Sequence, residues 1–358
     1  MNITTLTFQF AHNYGALLQA YALKDYLQSL GHHVSIAPYY PEWAQTEYAI
    51  NPFSKGVPPK RRIRLALQYF KRKKQSRIFD EFISKDLSIG KSFSSKHDLI
   101  KWINSFDYVI CGSDQIWNNK ITGNGNDYFA FGTKTTKIAY AASLGTTQLT
   151  TEQKRNIQDC LPDFSSVSVR EPSSAKEIEK ILNKKVDVVL DPVFLVDESR
   201  WANFGKPLNV KEKYLFLYFL QENENLLNYA KEYAKNNGLI IYDVHPTMSG
   251  RHDGCVRINN VGPKEFIWLI QNAECICTNS FHATAFSTIF KKKLIHIPNS
   301  KSPERTVSLL TRIGVKLKTD GEFPIYDLNL SNKCILKDEI QKSKDFINTA
   351  LQGDKQWR

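Results

Sequence analysis

Arg170 follows directly on a short apolar run in the front half of the chain, and His282 stands a few residues beyond one in the rear half. His282 closes the order Thr278-Asn279-Ser280-Phe281-His282, which comes after Cys275-Ile276-Cys277. Where a strand passes into a helix, the helix start carries unpaired N–H groups and a partial positive charge, so Asn279 or Ser280 is placed to cap with His282 in the first turn. A phosphate there would meet backbone amides, a hydroxyl and an imidazole together. A lone histidine at a helix start is also a common hydrogen-bonded structural residue. Arg170 ends Val167-Ser168-Val169 and offers the planar fork that grips a carboxylate or phosphate by two bonds; its alternative is a salt bridge to Glu171 or to another carboxylate.

Two further clusters fit a polar ligand. Gly112-Ser113-Asp114-Gln115-Ile116-Trp117-Asn118 crowds hydroxyl, carboxylate, amide and indole groups, a mixture suited to sugar hydroxyls and ring faces, unless Ser113 and Asp114 simply cap a short helix. Asn13-Tyr14-Gly15 stands at the first strand-to-helix turn, where glycine permits close backbone approach. The Gly-x-Gly-x-x-Gly spacing of a dinucleotide site is missing there. Glu171, Asp114 and Asp191 are the carboxylates available to accept protons, each also able to serve as an orienting or capping group.

The elements that must hold these groups alternate between apolar runs and helix-period stripes along the chain, which predicts parallel sheets covered by helices. Ile3 to Phe8 reads as a strand, and Ala16, Ala20, Leu23, Leu27 and Leu30 as a helical stripe ended by Gly31. Val34–Ala37, Tyr108–Cys111, Ile138–Ala142, Val167–Val169 and Val186–Leu190 read as further strands, and the polar clusters collect at their C-terminal ends. From Asp197 to Lys213 the pattern lapses around Trp201, which reads as a connection between domains. A second series follows with strands at Tyr214–Leu220, Leu239–Val244, Cys275–Thr278 and Leu294–Ile297. Helices are expected from Gly262-Pro263-Lys264-Glu265, from Ser280 through Phe290, and from Ser302-Pro303-Glu304 to near Gly314. The division is therefore 1–200, 208–325 and a segment 326–358, whose helix from Lys337 to Leu351 is assigned to neither domain.

A length of 358 residues with 42% hydrophobic residues suffices for two cores. No apolar run approaches the roughly 18 residues of a membrane span, and Met1-Asn2-Ile3-Thr4 begins a strand pattern rather than a signal peptide, so a cytoplasmic location is expected. Six cysteines stand without Cys-x-x-Cys pairing, and Cys275 and Cys277 fall on one strand face as small hydrophobes. The formal charge of +12 points to anionic partners. Much of it lies between Lys55 and Arg77, where Lys60, Arg61, Arg62, Arg64, Lys71, Arg72, Lys73 and Lys74 interleave with Ile63, Leu67 and Phe70. That is either a basic amphipathic helix for an anionic membrane or a solvated helix face; no nucleic-acid motif accompanies it.

In their order along the chain, Asn13-Tyr14-Gly15 with Leu18-Gln19, Gly112 to Asn118, Ser168-Val169-Arg170-Glu171, Leu190-Asp191-Pro192, Gly262-Pro263-Lys264-Glu265-Phe266 and Thr278 to His282 resemble the polysaccharide pyruvyl transferase family over nearly the whole chain. The resemblance implies an α/β fold of two Rossmann-like domains facing a cleft, GT-B-like. It implies transfer of the enolpyruvyl group of phosphoenolpyruvate onto sugar hydroxyls as a ketal, on a polysaccharide or lipid-linked acceptor; on the membrane reading, the basic segment docks such an enzyme at the inner membrane face. On this reading Arg170 and His282 contact the donor, Glu171 and Asp114 join them in catalysis, and Asn279, Ser280, Asn13 and Gly15 help to bind it. No cofactor beyond the donor substrate and no metal is implied. Ala283 departs from the pattern, since glycine is expected after the histidine, and this bears on how near a ligand comes to that backbone. A nucleotide-sugar glycosyltransferase of the same architecture and a non-catalytic anion- or membrane-surface-binding protein are the alternative readings.

Overall fold

The computed structural model describes residues 1–54, 56–245, 250, 252–298, 300, 303–316, 325–330 and 333–353. Lys55, at the head of the basic segment, and Ser302, expected in the cap of a helix, lie outside the described residues. The chain divides into two compact units, one made of Met1–Ala66, Asp80–Val196 and Asp338–Arg358, the other of Leu67–Phe79 and Asp197–Lys337.

The first unit is built on six parallel strands, β1 (Asn2–Leu6), β2 (His33–Ile36), β3 (Tyr108–Cys111), β4 (Thr136–Ala142), β5 (Phe164–Val169) and β6 (Asp187–Val188), in the order β2-β1-β3-β4-β5-β6. Their runs are apolar because helices cover both faces, leaving Ile3, Val109, Ile110, Ile138 and Ala139 with no exposed surface. The direction of winding reverses between β1 and β3, and such a reversal opens a crevice at the strand C-termini. From Asp338 onward, the helix Lys333–Leu351 belongs to this unit. Its Phe346, Ile347, Ala350 and Leu351 pack with Ile3, Leu23 and Tyr140, and Ser343 Oγ accepts the Leu190 N–H at 2.9 Å.

The second unit has strands β7 (Tyr214–Tyr218), β8 (Ile240–Asp243), β9 (Val256–Arg257), β10 (Cys275–Thr278), β11 (Lys293–His296) and β12 (Ile325–Asp327), in the order β12-β11-β10-β7-β8-β9. Only β12 runs antiparallel, against β11. Here the winding reverses between β7 and β10. Cys275 and Cys277 are fully buried and reduced in the core of this unit, and burial pushes the Cys275 thiol up to about 12.

Two segments differ from their reading in the sequence. Glu198–Phe204 is a helix rather than a connection, because Trp201 is fully buried and meets Phe286 edge-on at a 5.0 Å ring separation, an anchor that supplies the burial its polar neighbours lack. The basic segment forms a 27-residue helix, Pro59–Lys85, whose residues 67–79 belong to the second unit; there Gln75 Nε2 donates to Val261 O at 2.8 Å. The ammonium of Lys24 closes the far end, 2.9 Å from Leu87 O and 3.3 Å from Asp86 O, a favourable place for a cation at a helix C-terminus.

Candidate active site

At the β1/β3 crevice, Gln19 is the hub. Its Nε2 donates to Thr7 Oγ1 at 2.8 Å, its Oε1 accepts the Ser113 N–H at 3.2 Å, and Thr7 Oγ1 donates to Ser113 O at 3.0 Å. The turn after β1 is thereby tied to the turn after β3. Asn13 caps the helix Tyr14–Ser29, its Oδ1 accepting from Ala16 N at 3.2 Å, and Gly15 lies buried in that helix's first turn rather than in the loop. Gly112 has φ of +125°, and a Cβ there would come within 2.1 Å of Tyr140 O, so only glycine lets the chain leave β3 this close to β4.

Trp117 corrects the reading of an indole offered to sugar rings. It is 1% exposed and stacked on Phe129 at 4.9 Å, with Nε1 3.3 Å from Tyr128 O, and is therefore a core residue. Neither Ser113 nor Asp114 caps the short helix Asn119–Thr122, a task that falls to Asn118. Ser113 is fully buried, with Oγ 2.9 Å from Ala141 O and 3.2 Å from Asp191 Oδ2.

Arg170 gathers the acidic residues of this edge. It is 3% exposed, with Nε 2.9 Å from Glu171 Oε1, Nη1 2.7 Å from Asp191 Oδ2 and Nη2 3.9 Å from Asp114 Oδ1. Burial by itself would lower its pKa, but the charges of Glu171, Asp191 and Asp114 outweigh it and raise the value, so the guanidinium is always charged. Its fork is thus already engaged on the Nε and Nη1 sides by carboxylates, the salt-bridge arrangement that sequence left as the alternative. Three carboxylates thus face one guanidinium at this sheet edge.

In the second unit, Asn279 is 4% exposed and braces the turn after β7: its Oδ1 accepts from Leu220 N at 2.8 Å and its Nδ2 donates to Gln221 O at 2.6 Å. The amide is spent on backbone, which makes Asn279 a positioning residue rather than a ligand contact. Ser280 caps the nine-residue helix Phe281–Ile289 by accepting the Ala283 N–H at 3.4 Å. That amide is therefore turned to the cap, and the N–H groups of Phe281 and His282 are those left at the helix start. His282 is 7% exposed and sits perpendicular to the Phe281 ring at 5.1 Å. Arg305, which the sequence reading missed, places its guanidinium over the other partner in this stack, 5.1 Å from the Phe281 centroid. No spacing signal announces it, since it comes from a helix two elements further on, Glu304–Arg312.

Fold and site together define a GT-B-like α/β protein, two Rossmann-like units whose polar groups gather at sheet C-terminal edges. Two solved structures share this fold across nearly their full lengths. UDP-GlcNAc 2-epimerase from Neisseria meningitidis bound to UDP-GlcNAc has a TM-score of 0.53 and 12% identity, over 98% of this chain and 100% of that one. Anabaena HepE in complex with UDP and glucose has a TM-score of 0.52 and 9% identity, over 98% and 100%. A comparison with curated proteins finds no match. The profile of the polysaccharide pyruvyl transferases matches residues 13–301, and the chain belongs to that family.

Proposed function

We propose that this transferase moves the enolpyruvyl group of phosphoenolpyruvate onto a pair of hydroxyls of one sugar, in a polysaccharide or lipid-linked oligosaccharide, to give a pyruvate ketal. The observation that carries the reading is the buried imidazole of His282 in the first turn of a helix capped by Ser280, with Arg305 over the adjoining Phe281 ring. Amide N–H groups, an imidazole and a guanidinium at one helix start form a receptor for a compact anion bearing phosphate and carboxylate.

His282 delivers a proton to the methylene carbon, making C2 of the donor electrophilic. A sugar hydroxyl adds to C2, the C2–O bond to phosphate breaks, and a second hydroxyl closes the ring. Of the two hydroxyl protons released, one balances that placed on the new methyl group and the other leaves on phosphate. Glu171 and Asp114 accept hydroxyl protons, and Arg170, which faces both, orients them.

The basic helix supports a peripheral role at a membrane. Ile63, Leu67 and Phe70 are 68%, 83% and 84% exposed, at helical spacing, among Lys60, Arg64, Lys71 and Lys74. No helix among the described residues is long and apolar enough to cross a bilayer, so attachment would be to its surface.

Thermal denaturation with ligands separates this function from nucleotide-sugar transfer. A ligand at about 100 times its Kd adds roughly 2.7 kcal/mol of stability. Phosphoenolpyruvate is expected to raise the Tm and UDP to leave it unchanged, while His282→Ala loses the response. In transfer assays, His282→Ala and Arg170→Lys are each expected to lose roughly 100-fold or more in rate with the fold retained by circular dichroism, Lys being unable to hold two carboxylates by one fork. A Tm raised by UDP and indifferent to phosphoenolpyruvate would defeat the reading.

A further inference from the structure

We infer that Glu222, His245 and His252 of the second unit bind one divalent transition-metal cation of the zinc type. The inference stands on these side chains and is independent of the pyruvyl-transfer reading. Glu222 lies in the turn after β7, Asp243 ends β8, and the two histidines follow β8, so the cluster occupies the C-terminal edge of the sheet, where open α/β sheets take their ligands. Its neighbour Gln221 is the residue held by Asn279 at the start of the His282 helix.

Glu222 Oε1 is 3.0 Å from His245 Nε2, and Glu222 Oε2 is 2.8 Å from His252 Nε2. One donor atom from each residue falls within 4.8 Å of the others. Around a tetrahedral zinc, with bonds of about 2.0–2.2 Å, neighbouring donor atoms stand roughly 3.3–3.6 Å apart, so the two Glu222–histidine contacts need to open by only some tenths of an ångström. Three protein donors leave the fourth position for water or a ligand oxygen.

The chemistry of His252 argues for a cation. Its Nδ1 is 2.9 Å from Asp243 Oδ2, while Nε2 faces Glu222. A neutral imidazole that donates through Nδ1 to Asp243 turns a lone pair at Nε2 toward a carboxylate oxygen, an opposed pair unless a positive charge lies between them. A metal ion supplies that charge, and the carboxylate-to-histidine-to-metal chain is the arrangement that orients a histidine ligand and raises its basicity. Asp243 is 1% exposed, and its Oδ1 is buried with no hydrogen-bond partner among the described residues. Two carboxylates and two neutral imidazoles together balance one divalent ion. A Cβ on Gly250 would come within 2.0 Å of the His245 Cε1, so the Gly250 backbone lies against that ring.

The full chain, stripped with EDTA, is titrated with Zn²⁺ by calorimetry, and bound metal is measured after gel filtration. Binding of about one Zn²⁺ per chain is expected, with none for Mg²⁺, which prefers an all-oxygen octahedral shell. Glu222→Gln and His245→Ala/His252→Ala should abolish it, and Asp243→Asn should weaken it by roughly 10–100-fold. His33→Ala, at an exposed histidine in the other unit, should leave it intact. The Glu222 side chain is 63% exposed, so Glu222→Gln tests the site without disturbing the core even if the double variant fails to fold. Failure of the wild type to take up Zn²⁺, which would mean that a proton bridges His252 and Glu222, overturns the inference. Uptake undiminished in Glu222→Gln overturns it as well.

Discussion

His296 shows what burial does to a single titrating group. It is 3% exposed, with Nδ1 2.9 Å from Thr278 O and Nε2 3.0 Å from Thr306 Oγ1, so it donates to the carbonyl and accepts from the hydroxyl as a neutral ring. Burial lowers its pKa from 6.5 to about 4, against a smaller raising effect of the Thr278 carbonyl. The unfolded chain therefore binds more protons between these values, and the stability His296 contributes is complete above about pH 6.5 and lost as pH falls toward 4, in total on the order of 3 kcal/mol. Urea unfolding of His296→Gln is expected to show a shallower loss of stability from pH 6.5 to 4 than wild type; parallel curves would refute this. Arg170 is the opposite case, a charge kept charged by its carboxylates. A buried group of this kind is costly to break from one side, because the remaining carboxylates then face one another without a counter-ion.

At the scale of the element, strand ends and helix starts could be read directly. Ser280 caps as its residue type and position demand, and the apolar runs ending at Cys111, Val169 and Thr278 end as strands at those residues. The period-2 and 3.6-residue patterns are local and survive in one dimension. What failed was any element whose apolar residues are too few to show a period: Glu198–Phe204 has Trp201 as its buried anchor, and Trp117 reads as a ligand platform until Phe129 is found stacked on it. The crossing at the end of β3 depends on Gly112, whose φ and proximity to Tyr140 O both exclude a side chain. Gly112→Ala is expected to lower the stability of the first unit by about 2–4 kcal/mol, read as a shift of its urea midpoint. An unchanged midpoint would mean that the backbone there can give way.

At the scale of the molecule, an excess of 48 basic over 36 acidic residues is concentrated along one long helix with an apolar stripe. Flotation with vesicles rich in phosphatidylserine is expected to carry the protein upward at physiological salt, weakening as ionic strength rises. Substituting Ile63, Leu67 and Phe70 by Ser should abolish it, with stability little changed because all three side chains are exposed. Protein that stays at the bottom of the gradient, or floats equally well in the triple variant, would assign the helix face to solvent.

Family and fold class were legible from ordered clusters at strand ends, because a parallel α/β sheet forces its polar residues to collect there. So was the cap at Ser280, a contact spanning three residues. Only the tertiary structure decided that Asp191 and Asp114 converge on Arg170, that Arg305 stands over Phe281, and that Glu222 meets two histidines from beyond β8. Each of these joins elements separated along the chain, and their proximity follows from strand order and crossover direction, which no local period encodes. The last helix is the plainest instance: its stripe is visible in the sequence, but its place is set by Phe346 and Ile347 finding Tyr140 and Ile3 in the first unit's core.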